Sequence, residues 1–252
     1  MSEAQFEAWL AALEERHLAD LTPTEVARAL RALSSCYVER RSKLADGGAL
    51  GTAGKRAAFA LFYAPVHFLI TRHIVRDLAL ARDRITHLHD LGCGTGSAGA
   101  AWAMETAGTR VSGVDRHPWA VAEANWTYRQ LSIDGRAVRL DFVRARIASS
   151  PSTGVIAAYA INELPDPARA EMLSRLLTAS ARGARVLVIE PIARRLTPWW
   201  GTWDAAFSAA GGRSDEWRFQ VTLPKRQRDL AKAAGLNPRE LTARTLLSQK
   251  RQ

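Results

Sequence analysis

The first eighty residues carry a helical rhythm. Phe6, Trp9, Leu10 and Leu13 recur at i, i+3, i+4 and i+7, which lays them along one face of a helix. Thr22-Pro23-Thr24-Glu25 reads as the start of a second helix. Thr22 can accept from a free backbone N–H, Pro23 suits the first helical position, and Glu25 can close a capping box. That helix turns Val26, Leu30, Leu33 and Tyr37 inward. Asp46 to Gly54 is rich in glycine and predicts a flexible loop. A further helical stretch runs from Ala57 to Leu80, with Pro65 as a kink or break.

From Ile85 the pattern changes to short apolar runs alternating with helical segments. The strands predicted are Ile85–Leu91, Arg110–Val114, Ala137–Leu140, Val155–Ile161 and Arg185–Ile189, with helices near 97–107, 118–132 and 166–181. Asp166-Pro167 supplies an N-cap followed by proline at the first helical position. Alternation of strand and helix implies parallel strands joined by crossover helices. The fold class is therefore α/β, a doubly wound and mostly parallel sheet with an N-terminal helical extension. After Pro191 comes an irregular, tryptophan-rich stretch, then a strand over Trp217–Leu223, a helix over Lys225–Ala234 and a last strand over Glu240–Leu247. This organisation predicts a helical region over 1–83 on the substrate side and a ligand-binding domain over 84–252.

Composition narrows the classes. No run of about 18 uncharged apolar residues exists, which argues against a membrane span. The acidic N-terminus lacks the pattern of a signal peptide, and two cysteines, Cys36 and Cys93, make neither a disulfide framework nor a zinc cage. The simplest reading is a cytoplasmic protein. The formal charge is +10, distributed as about +1 over 1–83, about +2 over 84–190 and about +7 over 191–252. Such an excess raises affinity for polyanions such as RNA, or reflects arginine on solvated helix faces.

His89-Asp90-Leu91-Gly92-Cys93-Gly94-Thr95-Gly96-Ser97 falls where the first strand of the sheet ends and a helix begins. Glycines there let the backbone turn sharply and approach a ligand. The spacing is Gly-x-Gly-x-Gly rather than the Gly-x-Gly-x-x-Gly that seats a pyrophosphate. Nineteen residues beyond Gly96, at the end of the next strand, Asp115 can accept hydrogen bonds from two ribose hydroxyls, with Arg116 beside it. At the end of the third strand, Asp141 offers a carboxylate for an adenine amino group and Phe142 an apolar face beside the ring.

These residues resemble the class I S-adenosylmethionine-dependent methyltransferases over roughly 85–190. Asp90 to Gly96 match the family's glycine-rich first motif, Asp115 the ribose-binding acid, Asp141 the adenine-side acid, and Ala160-Ile161-Asn162-Glu163-Leu164-Pro165 the loop facing the transferring methyl group. The resemblance implies S-adenosyl-L-methionine as cofactor, held by Asp90, Gly92, Cys93, Gly94, Gly96, Asp115, Arg116, Asp141, Phe142 and Ala160. It also makes Glu163 and Asn162 the candidate catalytic pair, Glu163 to remove a proton from the acceptor or Asn162 to orient it. That loop, with Tyr63-Ala-Pro upstream, looks most like a subgroup related to the mitochondrial small-ribosomal-subunit methyltransferases, whose mitochondrial members carry iron–sulfur cysteines that this chain lacks. Family analogy would let the region of Tyr63, His67 and His73 cover the cofactor.

Trp199, Trp200 and Trp203 fall where this fold builds its acceptor lid, and either stack on a ligand or pack the lid onto the N-terminal helices. His87 and His89 flank Leu88 on a strand and share one face, without further metal ligands in view. Positive charge near the predicted lid favours an RNA acceptor, whereas eight tryptophans suit an apolar small-molecule pocket. Two readings of other kinds remain: a non-catalytic assembly factor that keeps the cofactor for stability, and a nucleotide-dependent dehydrogenase.

Overall fold

The structure, a computed structural model, describes residues 3–39, 50–194, 197–236 and 240–249, except the side chains of 36–39. Helix α1 (Glu3–His17) buries Phe6, Trp9, Leu10 and Leu13, as their spacing requires. Helix α2 (Pro23–Glu39) opens with the expected capping box. Glu25 Oε2 accepts from the Thr22 N–H at 2.8 Å, and Thr22 Oγ1 accepts from the Glu25 N–H at 3.3 Å. Val26, Leu30 and Leu33 are buried beneath it. The side chain of Tyr37 and residues 46–49 of the expected loop lie outside what is described.

The loop ends earlier than its glycines suggest. Thr52 caps a helix that starts at Ala53 and takes in Gly54. This helix, α3 (Ala53–Asp77), is long and apolar enough by length and composition to cross a membrane, and 78% of that apolar window is buried inside the protein. Pro65 does not break it. The turn before the proline, Phe59–Tyr63, widens to a π-helical turn. Proline cannot donate to the carbonyl four residues back, here Leu61. That carbonyl instead accepts from Gln227 Nε2 at 2.8 Å, wholly buried, so no acceptor is orphaned.

A seven-stranded sheet follows, in the order β3-β2-β1-β4-β5-β7-β6. Its strands are β1 (His87–Leu91), β2 (Arg110–Asp115), β3 (Gly135–Arg139), β4 (Thr153–Ala158), β5 (Arg185–Glu190), β6 (Arg213–Phe219) and β7 (Leu241–Leu247). The first five are parallel, and β7 runs antiparallel to both β5 and β6. Central β4 and β5 are buried on both faces, which explains their unbroken apolar runs. The crossovers are α4 (Ser97–Glu105), α5 (Pro118–Gln130) and α6 (Asp166–Ala181).

Three expectations are corrected. The tryptophan-rich stretch is not irregular: α7 (Trp200–Ala209) buries Trp200, Trp203 and Phe207 at i, i+3 and i+7. Strand β6 lies four residues earlier than read, because alternating charges mask a half-exposed edge. Asp166 is the first helical residue of α6 and not its cap, which is Pro165, and its carboxylate pairs with Arg169 at 2.6 Å. The last helix, α8 (Lys225–Ala233), stops as expected before Gly235.

The sheet is covered by two apolar clusters. One joins Phe6, Trp9, Leu61 and Phe68 of the N-terminal helices to Trp102 and Tyr128 beyond residue 84. The other packs α6 and α7 on the opposite face through Met172, Leu176, Trp203 and Phe207. Strand order reverses between β1 and β4, and a cavity opens over the carboxyl ends there.

Candidate active site

Three neighbouring strand tips, those of β1, β2 and β3, build one side of this cavity, whose volume is about 740 Å³. After β1 the chain turns through Gly92 at φ +68°, where a Cβ would stand 2.6 Å from that of Ala160. Only glycine allows both the conformation and this approach. The Cys93 N–H donates to Val114 O at 3.0 Å, tying the turn to the end of β2. The Gly94 N–H donates to Asp115 Oδ2 at 3.0 Å. A Cβ on Gly94 would meet only the Phe59 ring, at 3.8 Å, so the turn presents bare backbone to the cavity. Gly96, also expected at the cofactor, does not line the cavity. It opens α4 at φ +75° beneath the ring of Tyr128.

Asp90 lies at the floor, 1% exposed, and its Oδ2 accepts from the Gly99 N–H at 3.1 Å. Burial, reinforced by the nearby charge of Asp115, pushes its carboxyl up to about 7. Asp115 itself is clamped. Its Oδ2 takes the Gly94 N–H, and its Oδ1 takes the His117 N–H at 2.8 Å. A carboxylate offers about four acceptor sites, so both oxygens retain capacity for hydroxyl donors. Asp141 Oδ1 accepts from the Val143 N–H at 3.0 Å, capping a short 3-10 turn, Phe142–Arg144. That turn sets the Phe142 ring beside Gly92. Cys93 lines the same wall, and burial raises its thiol well above the usual range, so it is no nucleophile there.

The opposite side begins where β4 stops. Tyr159 adopts φ +58°, ending the strand three residues before the sequence suggests. The following turn, Ile161–Glu163, is held from several directions. The Asn162 N–H donates to Glu190 Oε1 at 3.0 Å, and Asn162 Oδ1 accepts from Trp199 Nε1 at 3.2 Å. Arg169 donates to the carbonyls of Ile161 and Leu164. Glu163 faces Arg116 at 3.9 Å. Asn162 and Glu163 thus both line the cavity, each already engaged by a neighbour.

Among the lining residues that sequence reasoning missed or left unplaced are Phe59, Tyr63, His67, Tyr159 and Glu190. The first three recur at i, i+4 and i+8 on α3, a spacing that could have been read but has the same form as a core stripe. His67 stacks on Tyr159 with ring centroids 4.0 Å apart and planes 15° apart. Burial drives the His67 imidazole down to about 3, so it is neutral at physiological pH. Burial first, and then Glu190, raise the Tyr159 hydroxyl far above its ordinary value.

The tryptophans divide differently from either expectation. Trp200 and Trp203 are core residues of the cluster under α6 and α7, and not of the N-terminal helices. Trp199 does not line the cavity but braces its loop, through Asn162 and beneath the Arg169 guanidinium at 5.4 Å. His87 and His89 do share a face, stacked at 4.5 Å, and His87 Nε2 bonds Ser112 Oγ at 2.8 Å. Among the described residues no group of three histidines, cysteines or carboxylates gathers to hold a metal ion. His73 packs on Phe219, away from the cavity.

The cavity suits an adenosyl sulfonium: bare backbone at Gly94, a clamped carboxylate at Asp115, Asp141 with Phe142, and a carboxyl at Asp90. Residues 89–183 match the sequence family described as a methyltransferase domain. A comparison with curated proteins found no match. Among solved structures, the mitomycin 7-O-methyltransferase MmcR is similar at a TM-score of 0.52 and 15% identity, over 96% of this chain and 72% of that one. The methyltransferase domain of the bacterial CtHen1-C is similar at 0.50 and 11%, over 74% of this chain and 98% of that one. Magnesium protoporphyrin IX methyltransferase from Synechocystis, solved with bound S-adenosylmethionine, reaches 0.47 and 16%, over 91% and 97%. These three neighbours do not single out the ribosomal subgroup, and at such identities their likeness shows the fold. The family match sets the dehydrogenase reading aside. Over residues 89–183 this chain thus carries a methyltransferase domain, with a cavity fitted to S-adenosylmethionine at its strand ends.

Proposed function

We propose that the methyl acceptor is a small molecule admitted to the cavity, and not RNA. The carrying observation is a reversal of charge. The protein has a formal charge of +10, yet its cavity is lined by Asp90, Asp115, Asp141, Glu163 and Glu190 against only Arg116 and Arg144. A phosphate backbone entering such a site would meet repulsion where RNA-binding proteins offer attraction.

The basic C-terminal segment does not change this. Of the described residues beyond 190, only Pro191 lines the cavity. Several of the arginines around α8 already serve the fold. Arg226 pairs with Glu14 at 2.8 Å, and Arg31 of α2 donates to the carbonyls of Ala233 and Ala234 at the end of α8.

When bound, the cofactor supplies a methyl group already activated on a sulfonium, so the chain has mainly to orient and enclose. Asp115 and Asp141 hold the nucleoside end. The backbone of residues 92–94 forms the seat beneath it. Phe59 covers that seat from α3, while Asn162, fixed by Trp199 and Glu190, braces the loop on the acceptor side.

The test is transfer of labelled methyl from S-adenosylmethionine to cell RNA and to small-molecule extracts, at low and high salt. Label in the small-molecule fraction, flat with salt, is the expected result. Label confined to RNA and falling steeply as salt rises would sink the reading.

A further inference from the structure

We infer that the acceptor is an amine, captured in its ammonium form on a flat or apolar body by the α3 ring wall and Glu190. The inference rests on the small-molecule reading above and adds the acceptor's chemical class.

Four rings run from Phe59 over the cofactor seat to Tyr159 on the acceptor side, with two contacts tilted, one edge to face and one stacked. Phe59 and Tyr63 lie 5.8 Å apart, Tyr63 and His67 5.9 Å, Phe59 and His67 6.2 Å, and His67 and Tyr159 4.0 Å. Ring faces attract cations, most strongly where water is excluded. His67 is neutral and so adds no opposing charge to this wall.

Glu190 lies at the same end and lines the cavity with no exposed surface. Its Oε1 is fixed by the Asn162 N–H, and the phenol of Tyr159 feels its negative charge. Arg244, paired with Glu190 across β5 and β7, also feels that charge. Its guanidinium, however, is directed to Pro191 O at 3.2 Å and over the Trp200 ring at 4.3 Å, and it does not line the cavity. The other two guanidinium groups are Arg116, which faces Glu163, and Arg144, beyond Phe142 on the nucleoside side. Rings with a buried carboxylate at one end form a binding site for an ammonium, and a poor one for a carboxylate or phosphate.

The step balances. An ammonium gives one proton to the Glu190 carboxylate, a transfer favoured when a second positive charge stands nearby. The freed nitrogen lone pair then forms the N–CH3 bond as the C–S bond breaks, its electron pair remaining on sulfur. The positive charge passes from sulfur to the N-methylammonium product, and Glu190 returns its proton to water between turnovers.

The experiment uses the full chain loaded with S-adenosylhomocysteine and three probes of one shape: benzylamine, benzyl alcohol and benzoate, titrated calorimetrically at neutral pH. Benzylamine should bind about tenfold or more tightly than benzyl alcohol, and benzoate more weakly still. Glu190→Gln should bring benzylamine to within about twofold of the alcohol while S-adenosylhomocysteine still binds, which also reports that the variant is folded. Tyr159→Phe, which keeps the ring, should keep the preference. Equal binding of alcohol and amine, tighter benzoate, no probe binding to loaded protein, or a preference that survives Glu190→Gln would each overturn the amine inference and leave the methyltransferase untouched. Failure to bind S-adenosylhomocysteine at all would instead remove the reading beneath it, and the inference with it.

Discussion

The wall made by residues 90–94, Asp115 and Asp141 carries three carboxylates and a stretch of bare backbone, each carboxylate held by backbone N–H groups of the turns at these strand ends. The facing wall, from α3 and residues 159–163, carries four rings, one of them a neutral histidine, and is braced by residues as distant as Trp199 and Gln227. The first wall is a set of strand ends, so its geometry comes from the sheet register. The second is a helix laid across the sheet and depends on packing from elsewhere in the chain. One wall is thus suited to a constant ligand, and the other to whatever this protein methylates.

The sharpest way to break this contrast is at the seam where the walls touch. Gly92→Val would force a side chain into Ala160 at a left-handed φ, destabilising the fold by about 3 kcal/mol or more. S-adenosylhomocysteine binding should be lost in calorimetry. Unchanged affinity would mean that the turn does not seat the ligand.

A second substitution addresses the ring wall alone. Gln227→Leu removes the donor to Leu61 O and leaves a buried carbonyl unsatisfied beside the π-helical turn. Denaturant unfolding should show a loss of about 1–3 kcal/mol, with S-adenosylhomocysteine affinity kept in the protein that remains folded. Equal damage to that affinity would show that the two walls are not independent.

The smallest effect separates them by pH. Asp90 has its carboxyl raised to about 7 in the folded protein, against about 4 for an unfolded chain. A raised carboxyl contributes stability that is fully present below the unfolded value and lost as pH rises through the folded one. Asp90→Asn cannot ionise, so its stability relative to the parent should rise by about 1 kcal/mol between about pH 6 and about pH 8. Thermal melts across that range would check it, and a difference that is flat with pH would refute the buried-charge account.

The cofactor wall was legible because its parts are local or sit at predictable strand ends. Asp90 to Gly94 are consecutive, and Asp115 and Asp141 follow from where parallel strands stop. The acceptor wall was not. Tyr63 and His67 were noticed but could not be placed. Tyr159 was assigned to a strand interior, because its left-handed φ has no sequence signature in a tyrosine. Glu190, one residue past the strand read over Arg185–Ile189, was not singled out. Trp200 and Trp203 misled in the other direction, since large aromatics near a lid have the same composition as large aromatics in a core.

Hydrophobic period and turn chemistry, which act over a few residues, were enough to determine a parallel α/β sheet, its helices and the glycine turn that receives the nucleoside. Contacts between segments about a hundred residues apart decided the rest: the unbroken α3, the ring wall and the negative cavity in a positive protein. Such contacts follow from how whole faces pack. A single chain of residue types does not encode which of its apolar or charged side chains will share a face.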